Sequence, residues 1–458
     1  MSKSNGYPQN LVPDFSHKHP WEVYSMDIMA EYRQSIDEGL DIEKYEPRFR
    51  EVNAMPRGRA RDEAADELFR VVLSAPVKDG YPYDEPSDLD GIKASAKPYE
   101  IPALNLTDEE LFDKVYGAWL GRICGCMLGK TVEGITTDEL VPLLTASDNY
   151  PMHRYITRKD AGGEVTKGFR YNLANRPYAD EIDGMPPDDD TNYVVLAQEL
   201  INKYGKNFTP QNMADFWLDV QPKNAYCTAE RVAFINFIKG YEPPFSAIYK
   251  NPYREWIGAQ IRGDYFGYIN PGNPVRAAEM AYNDACISHV KNGIYGEMWA
   301  AAMIATAATT CDYEKIIRGG LSVIPQNSRL YKAVTPILLD YKIGVTEQEC
   351  FASIHTKWNE HLEYDWCHTI SNAMIVTAAL LYGKGDFGKS ICLAVQTGFD
   401  TDCNGATVGS VIGMAYGSKA IGNEWSDPIN GKLHTTLFGV GTVDIKERAE
   451  MTMRHIKD

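Results

Sequence analysis

Five aspartates stand in two short turns of this sequence: Asp188, Asp189 and Asp190 before Thr191, and Asp400 and Asp402 in Gly398-Phe-Asp-Thr-Asp-Cys403-Asn404. Carboxylates are hard oxygen donors, suited to Mg2+ or Mn2+ rather than to zinc or copper. Three consecutive aspartates repel one another unless protonated, solvated or neutralised by cations. The Asp-x-Asp spacing at 400 and 402 lets two carboxylates converge on one ion from a turn. Each turn precedes a helical pattern, so either one alone also reads as an N-cap with solvated neighbours. Together the five carboxylates are enough for two adjacent divalent ions, with water or substrate oxygens completing the shells. The Asp188 run lacks the Gly and distal Glu of an EF-hand loop, and neither HExxH nor paired CxxC spacing for zinc is present.

Glycine ladders are the elements that would position these turns. Gly117, Gly121, Gly125 and Gly129 recur every four residues just before Thr131-Val132-Glu133, and Gly405, Gly409, Gly413 and Gly417 follow the second acidic turn. Glycine costs about 1 kcal/mol inside a helix relative to alanine, so four in one stripe need a reason. Spacing of four puts them on one face, where a second backbone can approach closely. That packing would bring the ends of the two helices, and the acidic turns there, together.

Around the ladders, periodicity is helical almost throughout. Helices are expected over 113–128, 193–204, 212–217, 225–239, 274–291, 295–308, 313–324, 330–342, 350–359, 369–382, 387–397 and 405–416, with a last short one over 444–458. Thr107 with Glu110 forms a capping-box start, and Thr209 with Pro210 an N-cap and N1 pair. The domain expected is an all-α bundle over 103–458. Residues 1–102 read as an extension, with amphipathic helices over 21–39 and 61–73 and a Pro-rich linker over 78–102.

The net charge of −17 argues against general nucleic-acid binding. No apolar run reaches the length of a membrane span. Nine cysteines without a CxxC pair, behind a polar stretch Met1 to Asn10, point to reduced thiols in a cytoplasmic protein.

Taken in order, these motifs resemble those of the ADP-ribosylglycohydrolase family. Gly117-Ala-Trp-Leu-Gly121 through Gly129-Lys-Thr-Val-Glu133 is similar to its N-terminal signature, and Asp188-Asp189-Asp190-Thr191 to its Thr/Ser-Asp-Asp-Thr motif. Gly398-Phe-Asp400-Thr-Asp402-Cys403 ahead of a Gly-rich helix is similar to its Gly-x-Asp-Thr-Asp-Thr, and Ser288-His289 to an intervening Ser-His element. The resemblance runs from about residue 110 to about residue 420. It implies a compact orthogonal multi-helix bundle with a binuclear Mg2+ or Mn2+ centre at the bottom of a cleft. It also implies cleavage at C1 of the distal ribose of an ADP-ribosyl group, on a small molecule or a protein.

Carried over residue by residue, the metal ligands would be Asp188, Asp189, Asp190, Asp400, Asp402 and position 403, here Cys403. Glu133 would face metals or substrate, with Asn404 beside the second turn also assigned to substrate. Either Asp189 or Glu133 would take the proton of the attacking water. Three positions depart from the family pattern: Asp188 replaces a hydroxyl residue, Cys403 a threonine, and Cys126 an aspartate found in many members. A thiol is a poor Mg2+ ligand, so water would replace that contact or it would be absent.

Outside these motifs, His289 reads either as a structural residue or as a substrate contact. The loop holding Gly272 and Asn273 reads either as an ordinary helix entry or as a donor of N–H groups to a phosphate. Three other readings stand beside the ADP-ribosyl hydrolase: a glycosidase for a sugar or nucleoside conjugate without ADP, a catalytically silent ligand-binding relative, and a helical scaffold with acidic loops.

Overall fold

The structure, a computed structural model, describes residues 18–458; the polar stretch 1–10 read above lies outside them. The chain divides into two units. One takes the chain up to Tyr81 together with Lys250–Tyr253, and the other holds Pro82–Tyr249 and Arg254–Asp458.

The first unit is built on helices Ile28–Asp37, Glu46–Ala54 and Arg59–Ser74, whose apolar faces enclose Ile28, Phe49, Val52, Ala65 and Leu68. The helix expected over 21–39 forms only from Ile28, because Val23 is extended between two short 3-10 turns. Arg61 is buried and ties the pieces, donating to the carbonyls of Ser25 and Met55 at 3.0 Å each.

The second unit is all-α apart from one antiparallel pair, Lys432–His434 with Thr442–Asp444. The stretch 82–102 belongs to it: Glu85 pairs with Arg329 at 2.8 Å and accepts from Asn292 at 2.8 Å. At its centre the Asp108–Lys130 helix lies antiparallel against the Thr401–Tyr416 helix, glycine on glycine. A Cβ added at Gly125 would sit 2.0 Å from the Gly405 carbonyl oxygen, and one at Gly121 would sit 2.2 Å from that of Gly409. At one end Gly117 meets Gly413 and Gly417; at the other Gly129 meets the backbone of Thr401 and Asp402. The Thr107–Glu110 capping box starts the first helix as expected.

Two element boundaries differ from the sequence reading in ways that matter. The helices expected to begin at 193 and 405 begin at Asp189 and Thr401, so the acidic turns form their first turns. The helix expected over 274–291 ends at Ala285, and another starts at Lys291. The backbone opens between them because Val290 is extended and its N–H donates to the Arg254 carbonyl at 3.0 Å, a distant partner that local periodicity does not reveal. Among the described residues no helix is long and apolar enough to cross a membrane.

The ladder contact makes a direct prediction. Gly125→Ala drives a methyl group into backbone that cannot move without separating the helices, and overpacking of this kind costs on the order of 3 kcal/mol. Gly162→Ala, whose added Cβ would find its nearest neighbour at an ordinary 3.5 Å, is the control and leaves denaturant unfolding unchanged. Equal stability of the two variants would remove the ladder from its central place.

Candidate functional site

The antiparallel ladders leave the C-terminus of one helix beside the N-terminus of the other, and the N-terminus of the Asp189–Tyr204 helix completes the corner. Asp188 is its N-cap: its Oδ1 accepts the Asp190 N–H at 2.9 Å and the Cys126 thiol at 3.3 Å. Asp190 is fully buried, and one of its oxygens meets Arg122 Nη2 at 3.1 Å. Arg122 also donates to the Asp190 carbonyl at 2.8 Å and pairs with Asp264 at 2.8 Å. On the opposite wall, Asn372 Oδ1 accepts the Asp400 N–H at 3.2 Å and the Asn404 amide at 2.8 Å. Phe399, just ahead of Asp400, is held at φ 59° with its ring buried against His355, a left-handed conformation that is costly for a bulky residue.

The result is two overlapping groups of donors. Cys126, Asp188 and Asp190 form one, and Asp190, Asp402 and Cys403 the other, with ligand atoms within 4.8 Å of one another in each. Lys130 Nζ reaches into the corner, 2.6 Å from Asp188 Oδ2, 2.9 Å from Glu133 Oε2 and 3.7 Å from Asp402 Oδ2. Glu133 lies at the lip, and Arg176 donates to its carbonyl at 2.7 Å.

Electrostatics follow from this crowding. Burial, reinforced by Asp188, pushes the Asp189 carboxyl up to about 8, and burial with Glu133 pushes Asp400 up to about 6. Burial also raises Asp190, against the pull of Arg122, and Asp402, where Glu133 adds to it. At Asp188 burial works the other way from Lys130, and the ammonium prevails, holding this carboxyl below its ordinary value. The Cys126 and Cys403 thiols are pushed far up by burial and the aspartates, which keeps them protonated. Asp190 Oδ2, Asp402 Oδ1 and Asn404 Oδ1 are buried without a hydrogen-bond partner. Buried polar oxygens without a partner are costly, and for the two carboxylates a bound cation would remove that cost. The donor set thus fits a hard divalent cation held through oxygen, with the thiols as bystanders.

A sequence model of the family described as ADP-ribosylglycohydrolase matches residues 107–453. The chain belongs to the ADP-ribosylglycohydrolase family. Among solved structures it is similar to one titled "ADP-ribosylglycohydrolase-related protein complex", with 18% identity, a TM-score of 0.47, and coverage of 76% of this chain and 98% of that one. No curated protein sequence matches the chain. Family membership makes this a hydrolase of the ADP-ribosylglycohydrolase type.

In this family member the residues singled out from sequence do not all converge. Asp188, Asp190, Asp402 and Cys403 come together in the two donor groups. Asp189 and Asp400 belong to the same turns, Glu133 stands at the lip, and Asn404 lies one turn into the second ladder helix. His289 is buried elsewhere, with Nδ1 against Ser288 Oγ at 2.8 Å and its ring beside Gly293; burial and Arg262 hold it neutral. Gly272 donates its N–H to the Ala305 carbonyl at 2.8 Å, and Asn273 caps its own helix by accepting the Arg276 N–H at 3.1 Å. That loop's polar groups are engaged by the protein. Arg122, Lys130, Arg176 and Asn372 were missed. Arg122 carried a signal, a guanidinium inside a glycine-rich helix, which has to find buried partners; Asn372 and Arg176 carried none.

A pH dependence follows. Asp189 and Asp400 bind their protons more tightly in the folded chain than unfolded, where aspartate titrates near about 3.9. Each therefore withdraws stability as pH rises from that value through its folded one. The chelator-treated protein should melt at a higher temperature near about pH 5 than near about pH 8, and saturating Mg2+ should erase the difference by favouring the ionised carboxylates. A chelated protein that is more stable at the higher pH would contradict the buried, uncompensated acids.

Proposed function

We propose that this protein is a divalent-cation-dependent hydrolase that cleaves the glycosidic bond at ribose C1 of an ADP-ribosyl conjugate. The observation that carries the proposal is the convergence of two acidic helix starts with orphaned, buried oxygens on Asp190 and Asp402. Asp190, Asp402 and their neighbours Asp189 and Asp400 would hold Mg2+ or Mn2+. When bound, the cation supplies positive charge that fixes ribose hydroxyls and eases proton loss from water.

The chain's own residues account for the rest. Hydrolysis passes through an oxocarbenium-like state, and a wall of carboxylates stabilises its positive charge without reorganising. Asp189 is half-buried where Asp188 and Asp190 are buried, so a water can reach it while its surroundings still keep its proton affinity high; it is assigned as proton acceptor. Glu133 is engaged by Lys130 and Arg176, which fix its direction at the lip and suit it to orienting substrate. Asn404, with an unpartnered oxygen, is assigned to a sugar hydroxyl.

A second reading, a glycosidase for a sugar or nucleoside conjugate without ADP, is favoured by one observation: the loop at Gly272 and Asn273 spends its donors on the protein and has none aimed at a diphosphate.

The test is release of ADP-ribose from mono-ADP-ribosylated protein and peptide, run beside ribosyl and nucleoside conjugates. Release should require Mg2+ or Mn2+ and stop with chelator. Asp189→Asn should lower the rate by about 10²–10⁴-fold, the usual weight of a proton acceptor, and Glu133→Gln by less, mainly through KM. Release from the nucleoside conjugates alone would transfer the proposal to the second reading. No release from any conjugate with either cation would overturn both.

A further inference from the structure

We propose that the Lys130 ammonium is a resident cation of the cleft, holding the Asp188 side so that the centre takes one divalent ion instead of two. This rests on reading the cleft as a cation site and departs from the pair of ions that the family resemblance implies.

The two donor groups are not equivalent. Oδ1 of Asp188 accepts the Asp190 N–H and the Cys126 thiol, and its buried Oδ2 forms an ion pair with Lys130 at 2.6 Å. Of the other two donors on that side, Asp190 is shared with the second group and Cys126 is a buried thiol, a soft atom ill suited to Mg2+. On the other side Asp190 Oδ2 and Asp402 Oδ1 are buried without a hydrogen-bond partner. Arg122 meets the other oxygen of Asp190 at 3.1 Å and Lys130 stands 3.7 Å from the other oxygen of Asp402, so no cation lies on the two oxygens left over.

Lys130 is held in place by the fold. It is the last residue of the first ladder helix, and the preceding Gly129 touches the backbone of Thr401 and Asp402. Its side chain therefore starts from the contact between the two helices and reaches Asp188, Glu133 and Asp402 from there. Burial opposes its charge, but Asp188, Glu133 and Asp402 raise its affinity for the proton further than burial lowers it. Lys130 supplies the charge that matches the buried Asp188 carboxylate. A second divalent ion within a few ångströms of this ammonium would meet strong repulsion in a poorly solvated corner.

The experiment counts ions on the full-length protein, stripped with chelator and dialysed against Mn2+. The wild type should hold one Mn2+ per chain with the six-line electron paramagnetic resonance spectrum of an isolated ion. Lys130→Met should hold two, with an exchange-coupled spectrum, and Lys130→Arg should keep one. Circular dichroism melts establish that each variant is folded. Should Lys130→Met fail to fold, the wild-type count and spectrum alone decide. Two ions per wild-type chain, or one in folded Lys130→Met, would overturn the proposal; two together with cation-dependent ADP-ribose release would leave the proposed function standing. No bound Mn2+ in the wild type would overturn the cation site itself.

Discussion

Two helices can approach until their backbones touch only where neither has a side chain between them, and the rest of this structure depends on that contact. Every rung of the ladders gives up helix propensity, about 1 kcal/mol for each glycine. What is gained is van der Waals contact along the full length of both backbones and a register that cannot slide, because a shift of one residue would place side chains where only hydrogen fits. Beyond the glycines the register is fastened by side chains. Thr401 Oγ1 donates to the Gly129 carbonyl at 2.9 Å, and Lys114 donates to the Met414 carbonyl at 3.2 Å. With register fixed, the positions of the helix ends are fixed, and the acidic turns occupy those ends.

The acidic corner then becomes a problem of charge. Buried carboxylates are tolerated only with partners, and the fold distributes its few buried cations among them. Arg122 takes one oxygen of Asp190 and one of Asp264, and Lys130 takes Asp188 and Glu133. A separate knot deeper in the same unit follows the same rule, with Arg262 between Glu230 at 3.0 Å, Asp284 at 3.2 Å and Glu297 at 3.4 Å. Burial and Asp284 push Glu297 up, so that knot keeps a proton in place of a second cation. In the acidic corner, buried oxygens of Asp190 and Asp402 are left without a hydrogen-bond partner, which favours binding of a cation there.

Much of this was legible in the sequence because it is local. Helical periodicity, the Thr107 capping box and the four-residue glycine spacing are properties of adjacent residues, and they led to the right fold class and the right pair of central helices. The acidic clusters were legible as well, since Asp-Asp-Asp and Asp-x-Asp are compact motifs at helix starts. What escaped was long-range. The break at 286–290 depends on a hydrogen bond to Arg254, and Asn372 is separated from Asp400 by a whole helix. Lys130 was passed over because a lysine after a helix end is ordinary. Only the three-dimensional corner shows that it points inward.

The central claim is that the ladder contact creates a site for a cation between Asp190 and Asp402. Anomalous diffraction at the manganese edge from crystals grown with Mn2+ tests it most directly. The account predicts a peak within bonding distance of both carboxylates, with the Lys130 ammonium still seated on Asp188. A cleft without a peak, or manganese held only at the peripheral group of Asp138, Glu360 and His361, would contradict it.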